Sequence, residues 1–203
     1  MIIKNKYATY LGYGYAGLFG VWAQRWLAPD AASATAVHAA VTLGNAVTTT
    51  VTTSITDPDF PRVLSITGAM TGGSLTGNVV ITGTDIRGNS ITDTIALNNN
   101  GTVDGIKAFK TVTSILFPAR VTSGDTVSIG ISDKLGLEMI PYIAVAISAH
   151  HGATLEGTLP TITGHATDIS QCLADFNSAC GADHDQHVVF YTADRPNKMS
   201  RTS

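Results

Sequence analysis

Asp183-His184-Asp185-Gln186-His187 is the chain's densest group of potential ligands. Two imidazoles three residues apart, flanked by carboxylates, are the right donors for a transition metal. Such a site needs a third or fourth ligand, and no sequence neighbour identifies one. Polar residues also collect where one element ends and the next begins, so we read the segment as a solvated loop and expect no metal. Asp85 with Asn89, and Asp104 with Asn98, Asn99 and Asn100, offer oxygens to Ca²⁺. Neither group has the spacing of an EF-hand loop. Asn and Asp are also what tight turns demand.

Catalytic patterns are missing as well. His150-His151 lies beside Gly152, but no Gly-x-Ser-x-Gly nucleophile motif occurs in the chain. Thr71-Gly72-Gly73 lacks the Gly-Lys-Ser/Thr of a phosphate-binding loop. We therefore assign no catalytic residue and no cofactor, and expect a protein that is not an enzyme.

The elements that would carry such residues are mostly strands. Val47 to Ile55 alternates, with Val47, Val51 and Ile55 on one pleat face. Asp57-Pro58-Asp59-Phe60-Pro61 reads as a corner, because both prolines fix φ. Val63 to Thr67 is the next strand. Val79–Thr84 and Ser90–Leu97 form a hairpin around Gly88-Asn89, residues that tolerate positive φ. In its second strand Ile91, Asp93, Ile95 and Leu97 share one face, and Thr92, Thr94 and Ala96 the other. Phe109–Leu116, Thr126–Ile131, Ile140–Ile147 and Val188–Tyr191 follow. Strands at this spacing, separated by polar turns, predict an antiparallel β-sandwich over residues 41–203.

One helix is expected, at about 168–180. Thr167 or Asp168 would cap its start and Gly181 its end. Ile169, Cys172, Leu173, Phe176 and Cys180 then share a face, leaving the two cysteines too far apart for a disulfide.

Residues 1–40 read as an arm rich in aromatic residues and glycine. Seven of the chain's fourteen aromatic residues fall between Tyr7 and Trp26. Phe19, Trp22 and Trp26 follow helical spacing, and Pro29 would stop a helix there. Such a stripe packs either on its own domain or on a neighbour. We take Tyr13, Tyr15, Phe19, Trp22 and Trp26 as interface residues. Removal of residues 1–28 is expected to leave a folded sandwich that has lost its tether. Leu11 to Ala28 is apolar but contains Gln24, Arg25 and four glycines, so we read neither a membrane span nor a signal peptide there.

Composition narrows the function further. Only 13% of the 203 residues are charged, about half the usual share, and the net charge is −3. No Lys/Arg cluster is available to neutralise phosphates, which argues against nucleic-acid binding. Thr, Ser, Asn and Gly take the place of charge. A surface of that kind suits a subunit packed against copies or partners, because identical faces can meet without same-sign repulsion.

Several short motifs occur in a fixed order: Asp57-Pro58-Asp59-Phe60-Pro61-Arg62, the stretch from Gly77 to Asp85, Gly88-Asn89, and Thr92 to Leu97. Lys107 to Ile115, Gly124 to Gly130 and Asp133 to Leu137 follow them. Over about residues 55–137 this series resembles virion structural proteins of tailed bacteriophages. The resemblance implies a non-enzymatic particle component, located in the virion and assembled in the host cytoplasm. Its partners would be the major capsid protein or other virion subunits, and itself as a homo-oligomer. A capsid decoration or cement protein stabilising the head is the first expectation. A tail, neck or baseplate component is the second. A carbohydrate-binding adsorption module, using Phe109, Phe117, Tyr142 or Tyr191, is the third.

Overall fold

The structure, a computed structural model, describes residues 19–44, 46–120, 124–176, 179–181 and 186–194. The chain is mainly β, with antiparallel pairing throughout the described strands. One six-stranded sheet contains β2 (Ser33–Thr42), β4 (Arg62–Ala69), β7 (Thr102–Phe109), β9 (Thr126–Gly136), β12 (Thr161–Thr163) and β13 (Leu173–Asp175). A second sheet has the order β3 (Thr49–Val51), β8 (Thr111–Phe117), β5 (Asn78–Thr84), β6 (Ser90–Ala96). A third runs β1 (Phe19–Trp26), β14 (His187–Asp194), β10 (Pro141–His151), β11 (Thr154–Leu155).

β9 is the spine. One of its edges pairs with β4 from Thr126 to Leu135. The other is shared: β2 covers Thr126 to Ile131, and β13 covers Lys134 to Gly136. Val127, Ile129 and Ile131 enter a larger apolar core with Leu64, Ile66, Ile81, Ile115 and Phe117. Leu135, with Leu137 just beyond the strand, enters a second core with Trp26, Phe176, Val189 and Tyr191. Gly130 is required where β2 crosses, because a Cβ there would sit 2.7 Å from Ala34 Cα.

Arg62 is fully buried where β9 passes from one core to the other. Its Nε donates to the Ser132 carbonyl at 2.8 Å. Its Nη1 donates to the Asp30 carbonyl at 3.0 Å and to Asp59 Oδ1 at 2.9 Å. The Pro58/Pro61 corner presents Asp59 to it, three residues away. Loop, corner and spine thus converge on one guanidinium, whose fork of donors suits three acceptors at once.

The expected hairpin forms between Asn78–Thr84 and Ser90–Ala96, in unbroken register. Ile91, Asp93, Ile95 and Leu97 are buried, while Thr92, Thr94 and Ala96 are exposed. Buried Asp93 accepts from the backbone N–H groups of Thr94 (2.9 Å), Ile106 (2.8 Å) and Lys107 (3.2 Å).

The helix expected at about 168–180 does not form, and the described residues contain no α-helix. Ile169–Gln171 is a single 3₁₀ turn, and Leu173–Asp175 is β13, held between β12 and β9. Asp168 caps the turn by accepting from Ser170 N at 3.0 Å. Leu173, Ala174 and Cys172 are all buried. A helix would bury one side, whereas a short strand inside a sheet buries both. Leu173 and Ala174 are strong helix formers, so the vacant edge of β9 overrides both their intrinsic preference and their spacing. Phe19–Trp26, expected as a helical stripe, is likewise a strand, paired residue for residue with β14.

Two measurements test this account. Arg62→Ala leaves Asp59 and the Ser132 and Asp30 carbonyls without their donor and should lower stability by about 3–5 kcal/mol in urea unfolding. Asp125 is also buried and accepts from Thr71 N at 2.8 Å and Arg120 Nε at 2.9 Å. The Thr71 N–H and the Arg120 guanidinium hold its carboxyl below the ordinary range. Its stabilisation is therefore full above the unfolded value of about 3.9 and is lost as pH falls through the lower folded value. The stability gap between wild type and Asp125→Asn should be widest near neutral pH and close in acid.

Candidate interaction surfaces

The outer face of the β3–β8–β5–β6 sheet carries no charged side chain at its described positions. Register places Thr82 between Thr92 and Ser114, Val80 between Thr94 and Leu116, and Thr84 between Ser90 and Thr111. The alternation that sends Val79, Ile81 and Ile95 into the core turns these residues outward. Hydroxyls link strands across the face: Thr84 and Thr111 Oγ1 lie 2.7 Å apart, and Thr113 Oγ1 donates to the Thr82 carbonyl at 3.1 Å. These contacts hold hydroxyls in fixed rows, with methyl groups between them.

A second surface lies on β10. Ile143, Val145 and Ile147 are 54%, 58% and 51% exposed, at alternate positions of one strand. Six of the ten exposed large apolar residues among those described fall between Tyr142 and Leu159. Opposite this segment the β10–β14 ladder breaks twice, between Pro141 and Ala146 and again before Ser148, so the strand bows away from its neighbour. β11 pairs with β10 only at His150 and His151. The sequence reading recognised the strand and missed the surface. Its signal was present: Glu156 is the only charged residue between Glu138 and Asp168.

Of the five aromatic interface residues, Tyr13 and Tyr15 lie outside the described residues, as does the arm before Phe19. Phe19 starts β1 opposite Asp194. Trp22 is half-buried against the second core. Trp26 is 2% exposed and meets Phe176 edge-on, with ring centroids 5.6 Å apart. Gln24 anchors the same strand, donating to the Gly136 carbonyl at 3.0 Å and accepting from Glu138 N at 2.8 Å. Trp26 thus packs inside its own chain, and cutting at residue 28 would remove a core side chain. A deletion that tests the arm must end before Phe19.

The ligand candidates are drawn into the fold. Asp183, His184 and Asp185 lie outside the described residues. His187 is fully buried in β14, with its ring 4.6 Å from that of His151 and 4.8 Å from that of Phe176. His150 sits edge-on to Phe190 at 6.3 Å. Asp85 uses its oxygens on the hairpin turn, accepting from Arg87 N at 2.8 Å, Asn89 N at 2.9 Å and Asn89 Nδ2 at 2.9 Å. Asn99 Oδ1 accepts from Leu75 N at 3.0 Å. Lys134 Nζ donates to Asp104 at 2.9 Å, which holds the Lys134 ammonium above its ordinary value. Among the described residues no group of three or more His, Cys, Asp or Glu side chains is placed to hold a metal.

Two shallow clefts open on the described surface. One, about 390 Å³, is lined by Asp104, Asp133, Lys134 and Asp175. Burial raises the Asp175 carboxyl; Lys134 opposes the shift, while Asp104 and Asp133 add to it. The other, about 370 Å³, lies between the hairpin turn and the 3₁₀ turn and is lined by Arg87, Lys107 and Asp168. Neither contains an aromatic ring on which a sugar could stack. Phe109, Phe117 and Tyr191 are fully buried, which leaves Tyr142 as the exposed member of the four considered for carbohydrate. No described helix is long and apolar enough to cross a membrane.

No family model, curated protein or solved structure matches this chain.

Cys172 and Cys180 are buried free thiols, as expected, although a strand and not a helix separates them. Burial pushes the Cys180 thiol up to about 12 and raises that of Cys172. Thiolate is the reactive form. Both cysteines should therefore resist a thiol reagent at pH 8 in the folded protein and react together on unfolding, as read by absorbance titration with and without denaturant.

Proposed function

We propose that this chain is a non-enzymatic structural subunit of a tailed-phage virion, working as a capsid decoration or cement protein. The observation that carries the reading is the uncharged outer face of the β3–β8–β5–β6 sheet. A lone soluble domain ordinarily spreads charge over such a face. Here three adjacent strands present Thr, Ser, Ala and Val, with hydroxyls already tied to one another. Covering this face removes methyl groups from water without stripping hydration from any ion. The motif series from residue 55 to 137 includes the hairpin that builds the face, so the resemblance and the surface chemistry point the same way. Strands of two sheets contribute side chains to the larger core, and we read these sheets as an aligned sandwich.

On a shell, copies of such a subunit would bury this face against capsid subunits or siblings and stabilise the shell by mass action. A tail, neck or baseplate component would use the same face within a ring. The sugar-binding reading is weaker, since three of its four aromatic residues are inside the protein.

Adding purified protein to phage heads that lack it and imaging them by electron microscopy tests the reading. Density on the head lattice is expected, with resistance to heat or chelator restored. Density confined below the neck would move the protein to the tail. Failure to join any particle would end the reading. Thr82→Lys and Thr92→Lys together put two ammonium groups on the face and should reduce occupancy more than tenfold with the melting temperature unchanged. A chain starting at Phe19 should stay folded, and its occupancy reports what residues 1–18 contribute.

A further inference from the structure

We infer that the cleft lined by β7, β9 and β13 is a receptor for an arginine side chain presented by another protein chain. The inference stands apart from the proposed function, because it is read from the chemistry of the cleft and not from the sheet face.

Two observations carry it. First, the cleft is acidic and its charge is incompletely matched. Asp104, Asp133 and Asp175 line it, and Lys134 is the one cation among its described lining residues. Lys134 is already committed: it reaches across β4 to Asp104 at 2.9 Å. Arg62 approaches Asp133 from the interior, with Nη2 at 3.8 Å from Oδ1. Asp175 is left over. It lies opposite Lys134 in the β13–β9 ladder, yet it accepts no hydrogen bond and joins no ion pair among the described residues. Burial raises its carboxyl, and Asp104 and Asp133 add to the shift against the pull of Lys134. A cation placed there would relieve all three carboxylates.

Second, the same cleft holds an unused hydroxyl. Leu64 and Ile66 enter the larger core, so Ser65 between them turns to the other side of β4. There it stands between Asp104 of β7 and Gly130 of β9. Ser65 is 3% exposed and lines the cleft, and its side chain makes no hydrogen bond to a described residue. A buried hydroxyl ordinarily has a partner, and here the open side is the cleft.

These groups select a guanidinium. A metal ion fits poorly, because no three carboxylates are placed to share one and the Lys134 ammonium stands among them. A guanidinium is planar and carries five donors, so it can meet a carboxylate and a hydroxyl at once. An ammonium is more strongly hydrated and loses more on entering. The cleft, about 390 Å³, is near the lower end of the ~300–1,000 Å³ range of ligand sites, room for the end of one side chain. Free arginine would bring its own carboxylate to an acidic cleft, whereas an arginine within a polypeptide does not. Charge complementarity therefore favours a side chain on a partner chain.

The test is an amide NMR titration of the full chain with the peptide acetyl-Gly-Arg-Gly-amide. Saturable shifts are expected at Ser65, Asp104 and Asp175, with a midpoint on the order of 1 mM. Asp175→Asn should weaken binding about tenfold and Ser65→Ala by a smaller factor, both with the fold intact by the remaining amide spectrum. Glu138→Gln, which removes an exposed carboxylate outside the cleft, should leave binding unchanged. The lysine version of the peptide, and free arginine, should each bind more weakly. The inference is overturned by an absence of saturable shifts, by equal weakening in Asp175→Asn and Glu138→Gln, or by a lysine peptide or free arginine that binds as well. It is also overturned if Ca²⁺ alone gives the same saturable shifts. The titration needs no particle, so its failure leaves the proposed function standing, and a chain that joins no phage head leaves this site standing.

Discussion

A buried guanidinium holds this fold together at the point where it is most divided. β9 runs through two apolar cores, and neither core alone would fix how they join. Arg62 sits at that joint with no exposed surface and ties the spine at Ser132, the loop at Asp30 and the corner at Asp59. A buried charge is tolerated only when its donors are satisfied, so the three segments have little freedom to rearrange independently. An aliphatic side chain there could fill the same volume, but it would leave the acceptors facing it unpaired.

The same economy recurs across the interior. Asp85, Asp93 and Asp125 are all buried, and each is spent on backbone N–H groups of a turn or a neighbouring strand. These three carboxylates are therefore structural, their oxygens already taken by N–H groups. Polar side chains fix turns from within, and the exterior sheet face carries hydroxyls and methyl groups. That division separates the polar side chains that hold turns from the hydroxyls that line the sheet face. It also explains why the ligand-like residues of the sequence lead to no constellation in the described fold.

Legibility followed locality. The hairpin around Gly88-Asn89 was readable because its turn residues, its alternation and its register all depend on some twenty consecutive residues. The buried and exposed faces of Ser90–Ala96 fall where alternation puts them. The segment from Thr167 to Gly181 misled for the complementary reason. Its apolar residues fit helical spacing, but the free edge of β9, more than thirty residues earlier in the chain, recruits Leu173–Asp175 as a strand. Phe19, Trp22 and Trp26 misled in the same way, because β14 lies at the far end of the sequence. In both places non-local pairing overrode local preference.

What the sequence determined by itself was the class of material: strands separated by polar turns, a sparse and nearly balanced charge, and no clustered chemistry. These follow from composition and from patterns a few residues long. The tertiary structure alone decided which surfaces remain outside. Trp26 looks as available as Ile143 in the sequence, yet one is enclosed by Phe176 and the other stands on a bowed strand that β11 barely reaches. Exposure is a property of what packs alongside, and for Trp26 those neighbours are brought in by a pairing whose partners lie more than a hundred residues apart in the chain.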